Sequence, residues 1–223
     1  VCRYFARWFD MSIAALRITG PRARAAWLKE RANPVLDRPD GSPPLYVTDE
    51  EDLARAYLAA LDYVQTGHGR FDAFFREHGY RCPLPHQLAT AKKKGLPRID
   101  PLVETLLYCE MTHGLLMGVQ DWGKVEGGLV YDAAAEGESF PGMRGTVECR
   151  AGEMVLRDGA GIIASYFQGP DQRTRVTPAT KDAVLFAFAA PGIEPAELRA
   201  ALERAAEVLA PASAGARIEL LDP

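Results

Sequence analysis

The sequence predicts an α+β fold in which helices come first and strands follow. Segments with helical periodicity occupy most of the chain up to residue 117, and short strand-like segments separated by Gly and Asp come after it. An amphipathic helix at 194–210 follows the strands, and 216–223 can form a last strand. Helices grouped before strands, rather than alternating with them, favour an α+β arrangement over a parallel α/β sheet.

The N-terminal half is expected to be largely helical. Residues 12–32 contain a short strand or helix, a Gly-Pro break and then a helix, and 33–47 form a Pro-rich loop. In the helix expected at 48–65, Thr48 and Glu51 have the spacing of a capping box. Further helices are expected at 70–80, 82–97 and 100–116.

Strands are expected at four places after residue 117: 127–134, 145–151, 153–168 and 182–190. The third segment contains RDGAG between two apolar runs, a pattern that predicts a β-hairpin. These strands and the helices around them predict a sheet with flanking helices.

Composition excludes several classes of protein. The 223 residues include 26 Lys and Arg against 30 Asp and Glu, a net charge of −4, whereas proteins that coat nucleic acid usually carry a basic field. We therefore expect no DNA partner, and any RNA contact has to be local. No apolar run is long enough to span a membrane, and the four cysteines form no CxxC pair. Reduced thiols and a cytoplasmic location are expected.

Two Cys/His pairs have the same spacing. Cys82 and His86 are four residues apart, as are Cys109 and His113, so the four could form a tetrahedral zinc site if their segments met. Cysteine is more commonly a small buried residue, and the second pair lies in an apolar helix. We therefore expect no metal and no other cofactor.

The apolar helix also raises two catalytic alternatives. Glu110 and His113 have the Glu-x-x-His spacing of di-iron bundles, but the sequence has no second copy. Cys109 and His113 could form a nucleophile–base pair, although no nearby residue would orient the imidazole. P-loop, Rossmann, HExxH and GxSxG motifs are absent from the sequence, so no catalytic residue is assigned.

A basic, Thr-rich loop, DQRTRVTPATK, leads into the most apolar strand segment, residues 183–189. Asp and Thr side chains commonly cap turns, which favours a structural role for Thr177 and Thr180. Arg173 and Arg175 beside turn amides could instead bind an anion.

Three stretches of sequence carry a resemblance to a known family: GLPRIDPLVE (95–104), GVQDWGKVEGGLVYDAAAEGESF (118–140) and GEMVLRDGAGIIASYFQGPDQRTRVTPATKDAVLF (152–186). In this order they resemble the B3/B4 domain of the bacterial phenylalanyl-tRNA synthetase beta chain, in a free-standing form. The resemblance implies a B3/B4-like mixed sheet with flanking helices at 81–223. Residues 1–80 are then expected to be an N-terminal helical extension packed on that core.

In the synthetase, the B3/B4 domain removes mis-attached tyrosine from the tRNA by hydrolysis. The resemblance therefore implies binding of RNA or aminoacyl-tRNA and leaves open an aminoacyl-tRNA hydrolase that acts in trans. The alternative is a protein or divergent enzyme that binds a small amino-acid-like or aromatic ligand. The loop pattern of the family implies substrate-binding roles for Gly169, Asp171, Arg173, Thr174 and Thr177.

Four positions depart from the editing pocket of the family. In our register, its Thr-Asn pair corresponds to Leu106 and Leu107, its His to Gly118, and its strand Glu to Phe186. Each lost group could have made a hydrogen bond to substrate or water, so we do not expect the parent editing mechanism. A pocket made apolar by Leu106, Leu107 and Phe186 is expected instead.

Overall fold

A computed structural model of the chain describes residues 13–19, 69–94, 100–209 and 217–221. It confirms an α+β fold that combines helices with antiparallel sheets. The expected Pro-rich loop at 33–47 and the expected helix at 48–65 lie outside the described residues.

The described residues contain four α-helices, which overlap four of the expected ones: α1 (Arg70–Glu77), α2 (Leu84–Lys94), α3 (Pro101–His113) and α4 (Pro195–Leu209). The Asp100 side chain caps α3 by accepting a hydrogen bond from Leu102 N at 3.0 Å, and Gly114 ends the helix in the left-handed conformation. None of these helices is long and apolar enough to cross a membrane.

Helix α2 corrects one detail of the sequence analysis. The helix expected at 82–97 begins two residues later, at Leu84, and includes Pro85 in its first turn. Proline is tolerated in the first helical turn, because the N–H groups there have no partner within the helix.

The main sheet contains β1 (Ile13–Thr19), β2 (Leu116–Asp121), β9 (Asp182–Phe188) and β10 (Arg217–Leu221). Their order across the sheet is β10-β1-β9-β2, and every neighbouring pair is antiparallel. The strand alternative near residue 12 and the expected last strand are therefore confirmed. Strand β2 was not expected, because Gly118 and Gln120 interrupt its apolar pattern.

Strand β9 explains the uninterrupted apolar run of the sequence. It lies between β1 and β2, and α4 packs against both β9 and β1. Residues 183–190 are all buried, which is typical of a central strand covered on both faces.

The second sheet consists of β3 (Val130–Ala133), β6 (Met154–Asp158), β7 (Gly161–Ser165) and β8 (Gly169–Pro170), in the order β3-β6-β7-β8. Strands β6 and β7 form the hairpin that RDGAG predicts. A separate two-stranded sheet pairs β4 (Ser139–Gly142) with β5 (Gly145–Glu148). Strands β4 and β8 were not expected, since they are too short to show an alternating pattern.

Aromatic side chains connect α1 to the second sheet. The ring of Phe74 meets Tyr166 edge-on with centroids 5.6 Å apart, and Tyr80 stacks on Phe167 at 4.6 Å. Phe75 is also buried, and its ring contacts the rings of Tyr166 and Phe167. The contacts hold Tyr166 and Phe167 in place directly after β7.

The boundary at residue 80, between a helical extension and a core domain, stays a prediction. Within 1–80, however, the described residues include β1, which is an internal strand of the main sheet, and the buried side of α1. Strand β1 therefore belongs to the same sheet, and α1 to the same hydrophobic core, as residues after 80.

Candidate functional site

A cleft of about 280 Å³ is lined by residues from both four-stranded sheets and from the α2 and α3 regions. Its apolar lining consists of Pro83, Leu116, Met117, Ala164, Tyr166, Phe167, Pro170, Phe186 and Phe188, with Gly118 and Gly169 between them. Its polar lining consists of Arg81, Gln87, Glu110, Gln120, Ser165 and Gln168. Apolar walls with a few polar groups are typical of small-molecule sites.

The register of the main sheet creates the floor of the cleft. Leu116 pairs with Phe188 and Gly118 pairs with Phe186 across β2 and β9. Directly opposite residues point to the same face of a sheet, so these positions face the cleft together. A Cβ at Gly118 would lie 3.4 Å from the Phe188 ring, so the missing side chain keeps this part of the cleft open.

Glu110 is a buried carboxyl group in the cleft, with only 2% of the residue exposed. Its Oε1 accepts a hydrogen bond from Met117 N at 2.9 Å, and its Oε2 has no hydrogen-bond partner among the described residues. Burial raises the pKa of Glu110 to about 8, although the Met117 N–H and the nearby Gln87 amide oppose the change. At neutral pH the carboxyl is therefore largely protonated.

Gln120 is the cleft residue that joins the two four-stranded sheets. Its Nε2 donates to the carbonyl of Ile163 in β7 at 3.1 Å, and its Oε1 lies 2.8 Å from the Thr174 hydroxyl. Both ends of the amide are used, so Gln120 serves as a rigid part of the cleft wall.

Ser165 and Gln168 are held by the buried carboxylate of Glu153. Glu153 accepts hydrogen bonds from the Ser165 hydroxyl, from Tyr80 Oη at 2.5 Å and from Gln168 Nε2 at 3.0 Å. Burial alone would raise the pKa of Glu153, but these hydrogen bonds and one from Arg150 N outweigh it and lower the pKa. Ser165 and Gln168 therefore already have partners within the protein.

Hydrogen-bonding capacity remains at three polar residues of the cleft. Oε2 of Glu110 and Oε1 of Gln87 are buried without a partner in the described part of the chain. The exposed guanidinium of Arg81 likewise makes no ion pair or hydrogen bond with another described residue. A ligand in the cleft would meet an unused cation, the amide oxygen of Gln87 and the unpaired Oε2 of the Glu110 carboxyl group.

Among the five loop residues predicted to bind substrate, Gly169 lines the cleft. Asp171 and Thr174 are buried outside its lining, and Thr174 N donates to Oδ1 of Asp171 at 3.0 Å. Thr174 reaches the cleft only through its contact with Gln120.

Arg173 and Thr177 also lie outside the lining of the cleft. Arg173 donates to the carbonyl of Lys124 at 2.8 Å and to Oδ1 of Asp158 at 2.7 Å. The Thr177 N–H donates to Oγ1 of Thr180 at 2.8 Å. A binding role for these residues stays a prediction, and their contacts support the structural alternative for the loop.

The positions that depart from the family pattern separate into two groups. Gly118 and Phe186 line the cleft, whereas Leu106 and Leu107 do not. Leu106 is buried one helical turn before Glu110, and it is Glu110 that reaches the cleft. Of the three residues expected to make the pocket apolar, Leu106, Leu107 and Phe186, only Phe186 lines this cleft, and α3 presents the Glu110 carboxyl group there instead.

The two Cys/His pairs do not form a metal site. No group of three or more His, Cys, Asp or Glu among the described residues, which include all four, is placed to hold a metal ion. Cys109 is fully buried, and burial, with Glu110 adding to it, raises the pKa of its thiol far above the usual value. A protonated, inaccessible thiol does not suit a nucleophile.

Sequence reasoning did not assign Glu110 and Gln120 to the cleft. A carboxyl group within a largely apolar helix was the available signal for Glu110, a signal that Glu104 shares, since carboxyl groups are rarely buried without a partner. Gln120 had no such signal, because its role depends on contacts with β7 and the loop.

Comparison with known proteins assigns the family. The profile of the B3/4 domain matches residues 81–213, which is more than half of the chain and includes every residue that lines the cleft. The chain belongs to the B3/4 domain family. This B3/4 domain protein is 36% identical over 104 residues to the phenylalanine–tRNA ligase beta subunit of Vibrio parahaemolyticus serotype O3:K6 (strain RIMD 2210633).

The matched regions cover a small part of the longer relatives. The Vibrio alignment covers 45% of this chain and 13% of the relative. The crystal structure of an N-terminal fragment of the phenylalanyl-tRNA synthetase beta subunit from Pyrococcus horikoshii matches 53% of this chain and 42% of its own, with a TM-score of 0.45 and 18% identity.

Proposed function

We propose that the cleft binds the aminoacyl group of an aminoacyl-tRNA, and that the protein acts in trans on tRNA charged by a separate enzyme. The observation that carries this proposal is a cleft with aromatic walls and a buried carboxyl whose Oε2 is unused in the described structure. Membership of the B3/4 family and the similarity to a phenylalanine–tRNA ligase beta subunit support tRNA as the partner. This function would place the protein in the cytoplasm.

The lining supports an amino acid as the recognised part of the ligand. The rings of Tyr166, Phe186 and Phe188 suit an apolar or aromatic side chain, and Glu110 and Gln87 offer unpaired oxygens for hydrogen bonds to a polar group. With a net charge of −4, the protein has no general attraction for RNA, so recognition would depend on the attached amino acid.

Hydrolysis of the ester would require a group that activates water. The positions that correspond to the family's editing groups are Leu106, Leu107, Gly118 and Phe186, and none of these side chains can do so. Binding is therefore the primary proposal, and deacylation is the reaction that the experiment tests.

The experiment incubates the protein with a panel of tRNAs that carry correct and incorrect amino acids. We expect at least one charged tRNA to lose its amino acid faster than in buffer, or to be retained on filters more strongly than uncharged tRNA. Gly118→Leu, which fills the cleft, should abolish the effect, and Gly118→Ala is the matched control. A panel with neither release nor retention would refute the proposal.

A free amino-acid-like ligand is the second candidate, favoured by Arg81. Its guanidinium lines the cleft without a described partner and could hold a carboxylate, which an aminoacyl ester lacks. Free amino acids should then raise the melting temperature more than the corresponding amides do. Arg81→Ala should remove this difference, whereas Arg144→Ala, at another exposed arginine, should not.

A further inference from the structure

Two buried oxygens near each other lack hydrogen-bond partners among the described residues: Oε2 of Glu110 and Oε1 of Gln87. Both residues line the cleft, and the Gln87 side chain is close enough to influence the pKa of Glu110. An unsatisfied buried acceptor costs free energy, so native structures contain few of them. In the protonated form Oε2 of Glu110 carries the hydrogen, so both oxygens are unsatisfied acceptors only when Glu110 is a carboxylate. A ligand that brings several donors would stabilise that carboxylate.

The surroundings of Glu110 provide no counter-charge. The other titratable side chains on its own helix and in the cleft are Glu104, Tyr108, Cys109, His113, Arg81 and Tyr166. None of them contributes to the pKa of Glu110, which is set by burial and by the groups of Met117 and Gln87. Tyr166 donates its hydroxyl hydrogen to the carbonyl of Ala189 instead. The carboxyl is therefore open to a cation that comes with the ligand.

We infer that Oε2 of Glu110 and Oε1 of Gln87 together bind the primary ammonium group of an amino-acid-like ligand. The inference rests on the proposed function, since every standard aminoacyl group except prolyl carries a primary amine. An ammonium has three donors and no acceptor, so one group can satisfy both oxygens, whereas a hydroxyl has a single donor. Its hydrogen bond to a carboxylate is charge-assisted and stronger than a neutral one.

Binding of an ammonium changes the protonation of Glu110. The protonated carboxyl releases its proton to solvent, and the resulting carboxylate pairs with the ammonium, so charge is balanced. At pH 6.5 both the free carboxyl and an α-amino group are protonated, because both have pKa values of about 8. Binding at this pH should release nearly one proton, and affinity should rise between pH 5 and pH 7.

The test compares phenylalanine amide with 3-phenylpropionamide, which lacks the amine, by calorimetry at pH 6.5 in two buffers of different ionisation enthalpy. Only phenylalanine amide should bind with release of a proton. Glu110→Gln keeps the size of the side chain and an acceptor for Met117 N. The substitution should weaken the binding of phenylalanine amide at least about tenfold. The affinity for 3-phenylpropionamide should stay within about twofold of wild type. Equal affinities of wild type and variant for phenylalanine amide would overturn the inference.

Two further measurements keep the test decisive. If Glu110→Gln does not fold, proton release by the wild type decides, and binding without release overturns the inference. Gln87→Leu should weaken the binding of phenylalanine amide severalfold. An unchanged affinity would argue against a site shared by Gln87 and Glu110. If no amino acid amide binds the wild type, the inference is also overturned.

The failure of this inference is distinguishable from that of the proposed function. If wild type and Glu110→Gln act on charged tRNA with the same KM and the same pH profile, that result would overturn the ammonium site alone. The aminoacyl-tRNA proposal would then stand on the wild-type activity.

Discussion

The hydroxyl of Thr174 lies 2.8 Å from Oε1 of Gln120 and 2.5 Å from Oδ1 of Asp171. Thr174 belongs to the basic loop, whereas Gln120 belongs to β2 and lines the cleft. All three residues are buried. The loop thus supports the cleft wall from behind, through one hydroxyl shared between two acceptors.

Thr174→Val should destabilise the protein by about 1–3 kcal/mol, because it preserves shape but removes the hydroxyl that donates to buried Oε1 of Gln120. Among the described residues, Oδ1 of Asp171 keeps only its hydrogen bond from Thr174 N. Urea unfolding followed by circular dichroism measures the loss. Thr146→Val, at an exposed position of β5, is the control and should change the unfolding free energy by less than about 0.5 kcal/mol. Equal effects would show that the buried hydroxyl has no particular role.

Arg173→Ala separates a structural from a binding role. The Asp158 side chain is fully buried, and Arg173 donates to it, so the variant should lose about 2–3 kcal/mol of stability. Arg175→Ala is the matched control, because its side chain is exposed and only its carbonyl accepts a hydrogen bond, from Lys124. If Arg173→Ala keeps wild-type stability but loses ligand binding, the predicted binding role is supported and the structural role is refuted.

Gly118→Leu should block ligand entry, because the side chain would extend into the cleft beside Phe186 and Phe188. We expect binding of an aminoacyl ligand to fall at least about tenfold. Gly118→Ala should keep the unfolding free energy within about 0.5 kcal/mol of wild type, since its Cβ would make only ordinary contacts. Unchanged ligand binding by a folded Gly118→Leu protein would place the site elsewhere.

Glu110 should make the stability of the protein depend on pH in an unusual direction. Its pKa is about 8 in the folded protein and about 4.5 when unfolded, so the folded state holds the proton more tightly. The stability associated with this group is complete below pH 4.5 and is lost as pH rises through 8. Between pH 4.5 and 7 the loss should be about 3 kcal/mol.

Glu110→Gln should lack this pH dependence. Urea unfolding at pH 5 and pH 7.5 measures it, and the comparison with wild type cancels the contributions of other carboxylates such as Glu138, whose pKa is lowered to about 2 by its hydrogen bonds with Arg157. Parallel pH profiles for wild type and variant would contradict a buried, protonated Glu110.

Local patterns predicted the helices and the β6–β7 hairpin, because periodicity, caps and turn residues act within a few positions. They did not predict β2, whose apolar pattern is interrupted by Gly118 and Gln120, the two positions that serve the cleft. They also missed β8, because two residues, Gly169 and Pro170, carry no periodicity.

The candidate site was predicted in part. The sequence pointed to Gly118, Gly169 and Phe186, and all three line the cleft. It placed Leu106 there instead of Glu110, which lies one helical turn later. The sequence alone does not show which turn of α3 faces the neighbouring strands.

The amino-acid sequence by itself determined the α+β class, most of its helices and hairpin, and the resemblance that led to the B3/4 family. Only the tertiary structure decided which polar groups remain available to a ligand. Arg173, Thr174 and Thr180 are polar in any sequence reading, but folding places each beside an internal partner. Glu110 lies in an apolar helix, yet the packing of α2, α3 and β2 leaves one of its oxygens unpaired at the cleft. Hydrogen-bond satisfaction depends on contacts between residues distant in sequence, so no local pattern could supply it.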